Sequence, residues 1–148
     1  MRYSINTIKI SLEVKDTNLN KACSAESAHD IIKAFYLDLK PDQEHFSILA
    51  LNNKLNPIGF KTLFSGGQIS AKIDLRIIFR NAILLGAINV ILAHNHPSLD
   101  ITPSKEDITS TLKIIAAGNT LDIQVLDHII LGGDKYCSMR NNKLMEGV

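Results

Sequence analysis

The stretch NVILAHNHPSLDITPSKED, residues 89–107, decides the reading of this chain. It opens on a short apolar run, Val90 to Ala93, that suits a strand buried on both faces. Two histidines follow at i and i+2. Side chains alternate across a strand, so His94 and His96 lie on one side and their imidazoles converge at the strand's carboxyl end, while Asn95 points away and takes a structural role. Two imidazoles do not complete a zinc site; a hydrolytic centre needs a third protein ligand and keeps one position for water. Asp107 is the candidate, because the loop from Pro97 to Thr102 lets the next segment turn back over the strand end. That segment, TPSKEDITSTLKIIAA, reads as a helix with Thr102 as cap, Pro103 at its first position, acidic residues in its first turn and Gly118 at its end. His94, His96 and Asp107 with one water form a hydrolytic zinc set.

Outward from this stretch the chain alternates helical and strand-like patterns. Ile8, Ile10, Leu12 and Val14 have the period of a half-buried strand, and residues 1–24 read as a strand or arm. From Ser24, the spacing of Ile31, Ile32, Phe35, Tyr36 and Leu39 predicts a helix ending before Pro41. EHFSILALN and LNPIGFKTLF predict a hairpin turning at NNK, with Pro57 placing the second strand at an edge or bulge. Ser65, Gly66 and Gly67 form a loop; Leu75, Ile78, Phe79, Ala82 and Leu85 then share a helical face that Gly86 terminates. LDIQVLDHIILGG and KYCSM supply further strands, giving an α/β chain folded around a central mixed sheet without repeats or linkers.

Composition narrows the partners. At 148 residues and 45% hydrophobic, the chain can bury one ordinary core. Sixteen basic and fifteen acidic residues leave a formal charge of +1, which gives no global attraction to nucleic acid or an anionic membrane. Cys23 and Cys137 form no CxxC pair and no disulfide framework; they read as small buried side chains in a reducing compartment. The first residues lack the pattern of a secretory signal, and the longest apolar run, AILLGAINVILAH, is interrupted by Asn89. A soluble, cytoplasmic protein with no membrane partner is expected.

The pattern His94-x-His96-Pro97, six residues, Ser104, two residues, Asp107 resembles the JAMM motif of the MPN+/JAB metallopeptidases. HNHPS, TPSKEDIT, LDHIILGG and RIIFRNAILLGA further resemble one branch, the RadC family, over residues 25–148. The resemblance implies a cytidine-deaminase-like, three-layer arrangement of helices around a mixed sheet, with one zinc ion per chain. It implies that Glu44, just before an early strand, serves as general base and acid without ligating the metal, and that the Ser104 hydroxyl supports a developing oxyanion. Asp127 and His128 are typical of the family: Asp127 holds a ligand histidine by its second ring nitrogen, or His128 is an ordinary buried histidine. His29 and His45 carry no such spacing and read as surface residues. Two positions depart from the family, Leu99 where glycine is usual and Leu75 where proline is usual. The helix-hairpin-helix region of longer members is not in this sequence, so a short form is expected.

Three function classes follow. The first is a zinc metallohydrolase cleaving a peptide or isopeptide bond in a protein or peptide substrate. The second is an accessory protein for DNA repair, recombination or a mobile element with a structural or vestigial zinc, a reading that the charge balance does not support. The third, a zinc nuclease or phosphoesterase, lacks the two-metal clamp common in phosphoryl transfer. The letters HNH at 94–96 do not indicate an HNH nuclease, whose residues are dispersed through a different fold. An exposed first strand offers an edge for pairing with a second copy, a homodimer.

Overall fold

Apolar runs that cannot face water on either side must be flanked by other strands and covered by helices, and this chain arranges them so. The computed structural model describes residues 4, 6–9, 11–12 and 19–146. Over them run α1 (Ala25–Tyr36), β1 (His45–Leu51), β2 (Pro57–Ser65), a 3-10 turn (Ile69–Ala71), α2 (Leu75–Leu84), β3 (Asn89–Asn95), α3 (Lys105–Thr120), β4 (Gln124–Gly132) and β5 (Lys135–Ser138). The five strands form one sheet in the order β2-β1-β3-β4-β5. Only β3 and β4 run parallel, and α3 is the crossover that a parallel pair requires. This is the mixed α/β architecture expected.

Burial follows position in the sheet. Every residue of β1 is buried, as is β3 from Asn89 to His94, whereas β2 at the edge is nowhere fully buried. Leu49, Leu51, Ile91, Ala93, Ile129 and Leu131 face α1, whose Ala28, Ile31 and Ile32 close that layer. Phe46, Ile48, Val90 and Leu92 face the other way, against Ile78, Phe79 and Ala82 of α2 and Ile114 of α3. The Tyr36 hydroxyl ties α1 to the sheet, 3.0 Å from the His45 carbonyl, 3.1 Å from Ser47 Oγ and 3.2 Å from the Ala93 carbonyl. Pro57, without an N–H, pairs with Leu51 where the β1–β2 register shifts, an edge position that loses no ladder bond. Ser24 caps α1 by accepting from the Ser27 amide, and Gly86 adopts φ 72° just beyond α2.

Several expectations change. Helix α3 starts two residues later than its sequence signals suggest: Ser104, not Thr102, is its cap, because Ser104 and Asp107 exchange hydrogen bonds in a capping box. Gly118 does not end the helix but lies inside it, where a Cβ would stand 2.5 Å from the Ile123 carbonyl; the glycine permits helix and following strand to touch. His29 is buried and stacked on Tyr136 with ring centroids 4.3 Å apart, and His45 is buried too, so neither is a surface histidine. Cys23 is exposed and Cys137 half-buried. Of the strand expected from Ile8 to Val14, residues 8, 9, 11 and 12 belong to no strand, and Ile8 and Leu12 are exposed. Ile10 and Val14 lie outside the described residues. No helix among the described residues is long and apolar enough to cross a membrane.

Gly118→Ala sets two effects against each other. Alanine gains about 1 kcal/mol of helix propensity, while relieving the contact with the Ile123 carbonyl costs about 1–3 kcal/mol in displaced backbone. The contact wins, and urea unfolding should show a net loss of about 1–2 kcal/mol.

Candidate metal centre

Three side chains that strand and helix geometry bring to one end of β3 define the centre. His94 is the last buried residue of the strand and His96 lies just past it. Asp107, in the first turn of α3, faces both. The two Nε2 atoms are 2.9 Å apart, Asp107 Oδ1 is 3.4 Å from His94 Nε2, and Oδ2 is 3.5 Å from His96 Nε2. Ligands at zinc-bond distances in tetrahedral directions are about 3.3–3.5 Å from one another. These three residues form the metal-competent cluster found among the described residues.

The hydrogen-bond network sets which atoms point inward. Thr111 Oγ1 lies 2.7 Å from the Asp107 main-chain carbonyl, an acceptor with no proton of its own, so the hydroxyl donates there. Thr111 must then accept from His128 Nδ1–H at 2.6 Å. Burial pushes His128 far below the ordinary histidine range and keeps the ring neutral, so its Nε2 accepts from His94 Nδ1–H at 2.7 Å. His94 therefore presents the lone pair of Nε2. His96 does the same, because its Nδ1–H donates to the Asp100 carbonyl at 2.5 Å. Two facing lone pairs beside a carboxylate repel one another unless a cation or a proton sits among them. The donor set thus fits a divalent ion such as zinc, the two imidazole nitrogens needing to part by about 0.5 Å to take it.

Electrostatics agree. Without a metal, a proton on the histidine pair takes the cation's place: burial acts to raise Asp107, but protonated His94 and His96 and the Ser104 amide hold it far below the usual carboxylate range. The hydrogen bond to Asp107 raises His96, against burial, with help from the Asp100 carbonyl and the charges of Asp107 and Glu44. Ser104 caps α3: its amide donates to Asp107 Oδ2 at 2.8 Å and its Oγ accepts from the Asp107 amide at 3.0 Å. Glu44 shares with His96 a depression of about 360 Å³, also lined by Asp100 and Thr102, and its Oε2 accepts from the Ile69 amide at 3.3 Å.

Of the residues read from sequence, His94, His96 and Asp107 come together, Glu44 lines a depression shared with His96, and Ser104 lies at the helix start beside Asp107. His128, not Asp127, holds the ligand histidine. Asp127 instead accepts from Ser138 Oγ and the amides of His128 and Arg140, anchoring the turn after β5. Thr111 escapes the sequence reading, although its place one turn after Asp107 on the same helix offers a signal. Leu99 has φ 68°, the left-handed region that glycine occupies without strain and that costs other residues about 1–2 kcal/mol. Its amide donates to the His96 carbonyl at 3.0 Å, closing the turn that returns Asp100 to His96. Leu75 is the first residue of α2, where proline's missing N–H costs nothing.

A family model described as RadC-like JAB domain matches residues 22–144. The chain is 43% identical over 119 residues to UPF0758 protein SH1266 of Staphylococcus haemolyticus, covering 80% of this chain and 51% of that protein. It is 35% identical over 134 residues to UPF0758 protein RBAM_025090 of Bacillus velezensis, covering 90% and 58%. With a UPF0758 protein of Carboxydothermus hydrogenoformans it shares 47% over 102 residues, 69% of this chain and 45% of that one. The chain thus spans about half the length of the curated relatives it matches.

Thr111→Val keeps shape but leaves His128 Nδ1–H without its acceptor, freeing the ring that orients His94. Zinc affinity, measured by competition with a chromogenic chelator, should fall about 10–100-fold while the circular dichroism spectrum is retained. The metal-free protein should show its own pH signature. The raised His96 contributes stability that is fully present below its unfolded value of about 6.5 and is lost as pH rises through the higher folded value. The lowered Asp107 contributes stability above about 4 that is lost on further acidification. Zinc must displace the His96 proton, so added zinc should raise the melting temperature more at about pH 8 than at about pH 5.5.

Proposed function

The chain belongs to the RadC-like JAB domain family, and on that premise we propose that it is a zinc-dependent hydrolase cleaving a peptide or isopeptide bond. The observation that carries this reading is the convergence of His94, His96 and Asp107, with the Glu44 carboxylate sharing one open depression with His96. A zinc ion held by the three would acidify water and polarise the substrate carbonyl. Glu44 is a carboxylate beside that position and not a ligand; it takes the proton of the attacking water and returns it to the leaving nitrogen. Ser104 Oγ accepts from the Asp107 amide, which leaves its own hydroxyl proton to donate to the oxygen that gains charge.

The surroundings favour an amide substrate over a phosphodiester. The depression beside Glu44 meets, at Thr102, a second one of about 570 Å³ lined by Ile101, Tyr136, Ser138, Asn141 and Asn142 among others. Neither is lined by lysine or arginine, and the first holds two carboxylates, Glu44 and Asp100. Hydroxyls, amides and apolar surface suit a neutral polypeptide backbone, whereas a polyanion needs cations along its path.

Purified protein should bind one equivalent of zinc. Asp107→Ala should lose it, whereas Glu44→Gln should keep it and cleave a pool of unstructured peptides about 10²–10⁴-fold more slowly. Full activity in Glu44→Gln, or wild-type protein that takes up no zinc, would overturn the proposal. DNA binding that weakens steeply with salt would favour the accessory reading instead.

A further inference from the structure

A catalytic base at the end of a strand is only as well placed as the backbone that carries it. Glu44 precedes β1, and regular pairing of β1 with β3 ends at Phe46 opposite His94. Continuing that register would set His45 against Asn95 and Glu44 against His96. The backbone pairing with β1 stops at that point, while on its other side β3 stays on the β4 ladder, the His96 amide donating to the Leu131 carbonyl at 2.8 Å. The Asn95 side chain supplies the missing rung. Its Oδ1 accepts from the His45 amide at 2.7 Å and its Nδ2 donates to the Gln43 carbonyl at 2.8 Å, one bond on each side of Glu44.

Other contacts hold the same segment from the opposite side. The Glu44 carbonyl accepts from the Gly66 amide at 2.8 Å. The His45 ring spans Ser65 Oγ at 2.7 Å and the Lys40 carbonyl at 2.8 Å. These contacts stay within the loops around β1 and β2. The Tyr36 hydroxyl reaches both the His45 and Ala93 carbonyls from α1, but Asn95 is the side chain of the histidine-bearing strand itself that bonds on both sides of Glu44, so it ties the base to the metal ligands directly.

We infer that Asn95 is a positioning residue for Glu44: its carboxamide bridges Gln43 and His45 and holds the carboxylate in register with His94 and His96. The inference rests on the proposed role of Glu44. It assigns to the central letter of His94-Asn95-His96 a task distinct from that of its neighbours, performed on the other face of the strand.

The test uses cobalt-loaded protein, whose visible spectrum reports the surroundings of the ion without any substrate. Four proteins are compared: wild type, Glu44→Gln, Asn95→Ala and the double variant, with Asn95→Ser replacing Asn95→Ala if the latter does not fold. Each should hold one equivalent of cobalt. Removing the Glu44 carboxylate should displace the midpoint pH of the spectral change by about one unit or more. Asn95→Ala should displace it in the same direction, and the double variant should match Glu44→Gln, because a residue acting through Glu44 has no further effect once the carboxylate is gone. An Asn95 variant with the wild-type midpoint, or an effect that adds fully to that of Glu44→Gln, would overturn the inference while leaving the role of Glu44 intact. A silent Glu44→Gln would remove the base and the inference together, and is told apart by that single variant.

Discussion

Strand β3 is held by hydrogen bonds on both sides, antiparallel to β1 and parallel to β4, and the site takes its geometry from that grip. A slip of one residue would turn its side chains to the opposite layer, so the register is pinned by the apolar side chains that alternate between α1 and the α2–α3 layer. The parallel pairing has a second effect. It forces a crossover, and the crossover helix begins over the carboxyl end of β3, which brings Asp107 within reach of the two histidines. One choice of strand direction therefore delivers all three ligands to one point.

Asp107 serves two structures at once. Its backbone and carboxylate close the capping box with Ser104, and the same carboxylate faces His94 and His96. Burial alone would favour its neutral form. The hydrogen bonds and charges around it outweigh burial, and the amino end of α3 favours the anion as well. The two histidines do most to keep the ligand ionised, the helix start adds to that, and the helix starts there partly because the ligand caps it.

Local geometry makes much of this legible in the sequence. The convergence of His94 and His96 follows from strand alternation, and the hairpin, the buried run and the second helix follow from the spacing of apolar residues. The start of α3 is misread because Thr102-Pro103 carries strong start signals, although Ser104-x-x-Asp107 also has the spacing of a capping box. What is not legible joins residues far apart in the chain. His94 meets His128 across 34 positions, and Asn95 meets His45 across 50. His45 reads as a surface residue because it carries no ligand-like spacing, and only the fold shows that Lys40 and Ser65 close over it. Leu99 departs from the family's glycine, yet the backbone keeps the conformation that glycine would allow.

The partners behind the two imidazoles also decide the charge of the centre. His94 leans on the neutral ring of His128 and His96 on the Asp100 carbonyl, so neither is backed by a carboxylate that would make it a stronger electron donor. Asp107 is then the one formal negative charge within the ligand set. Two neutral imidazoles and a single carboxylate would leave half of a dication's charge unbalanced by the ligand set.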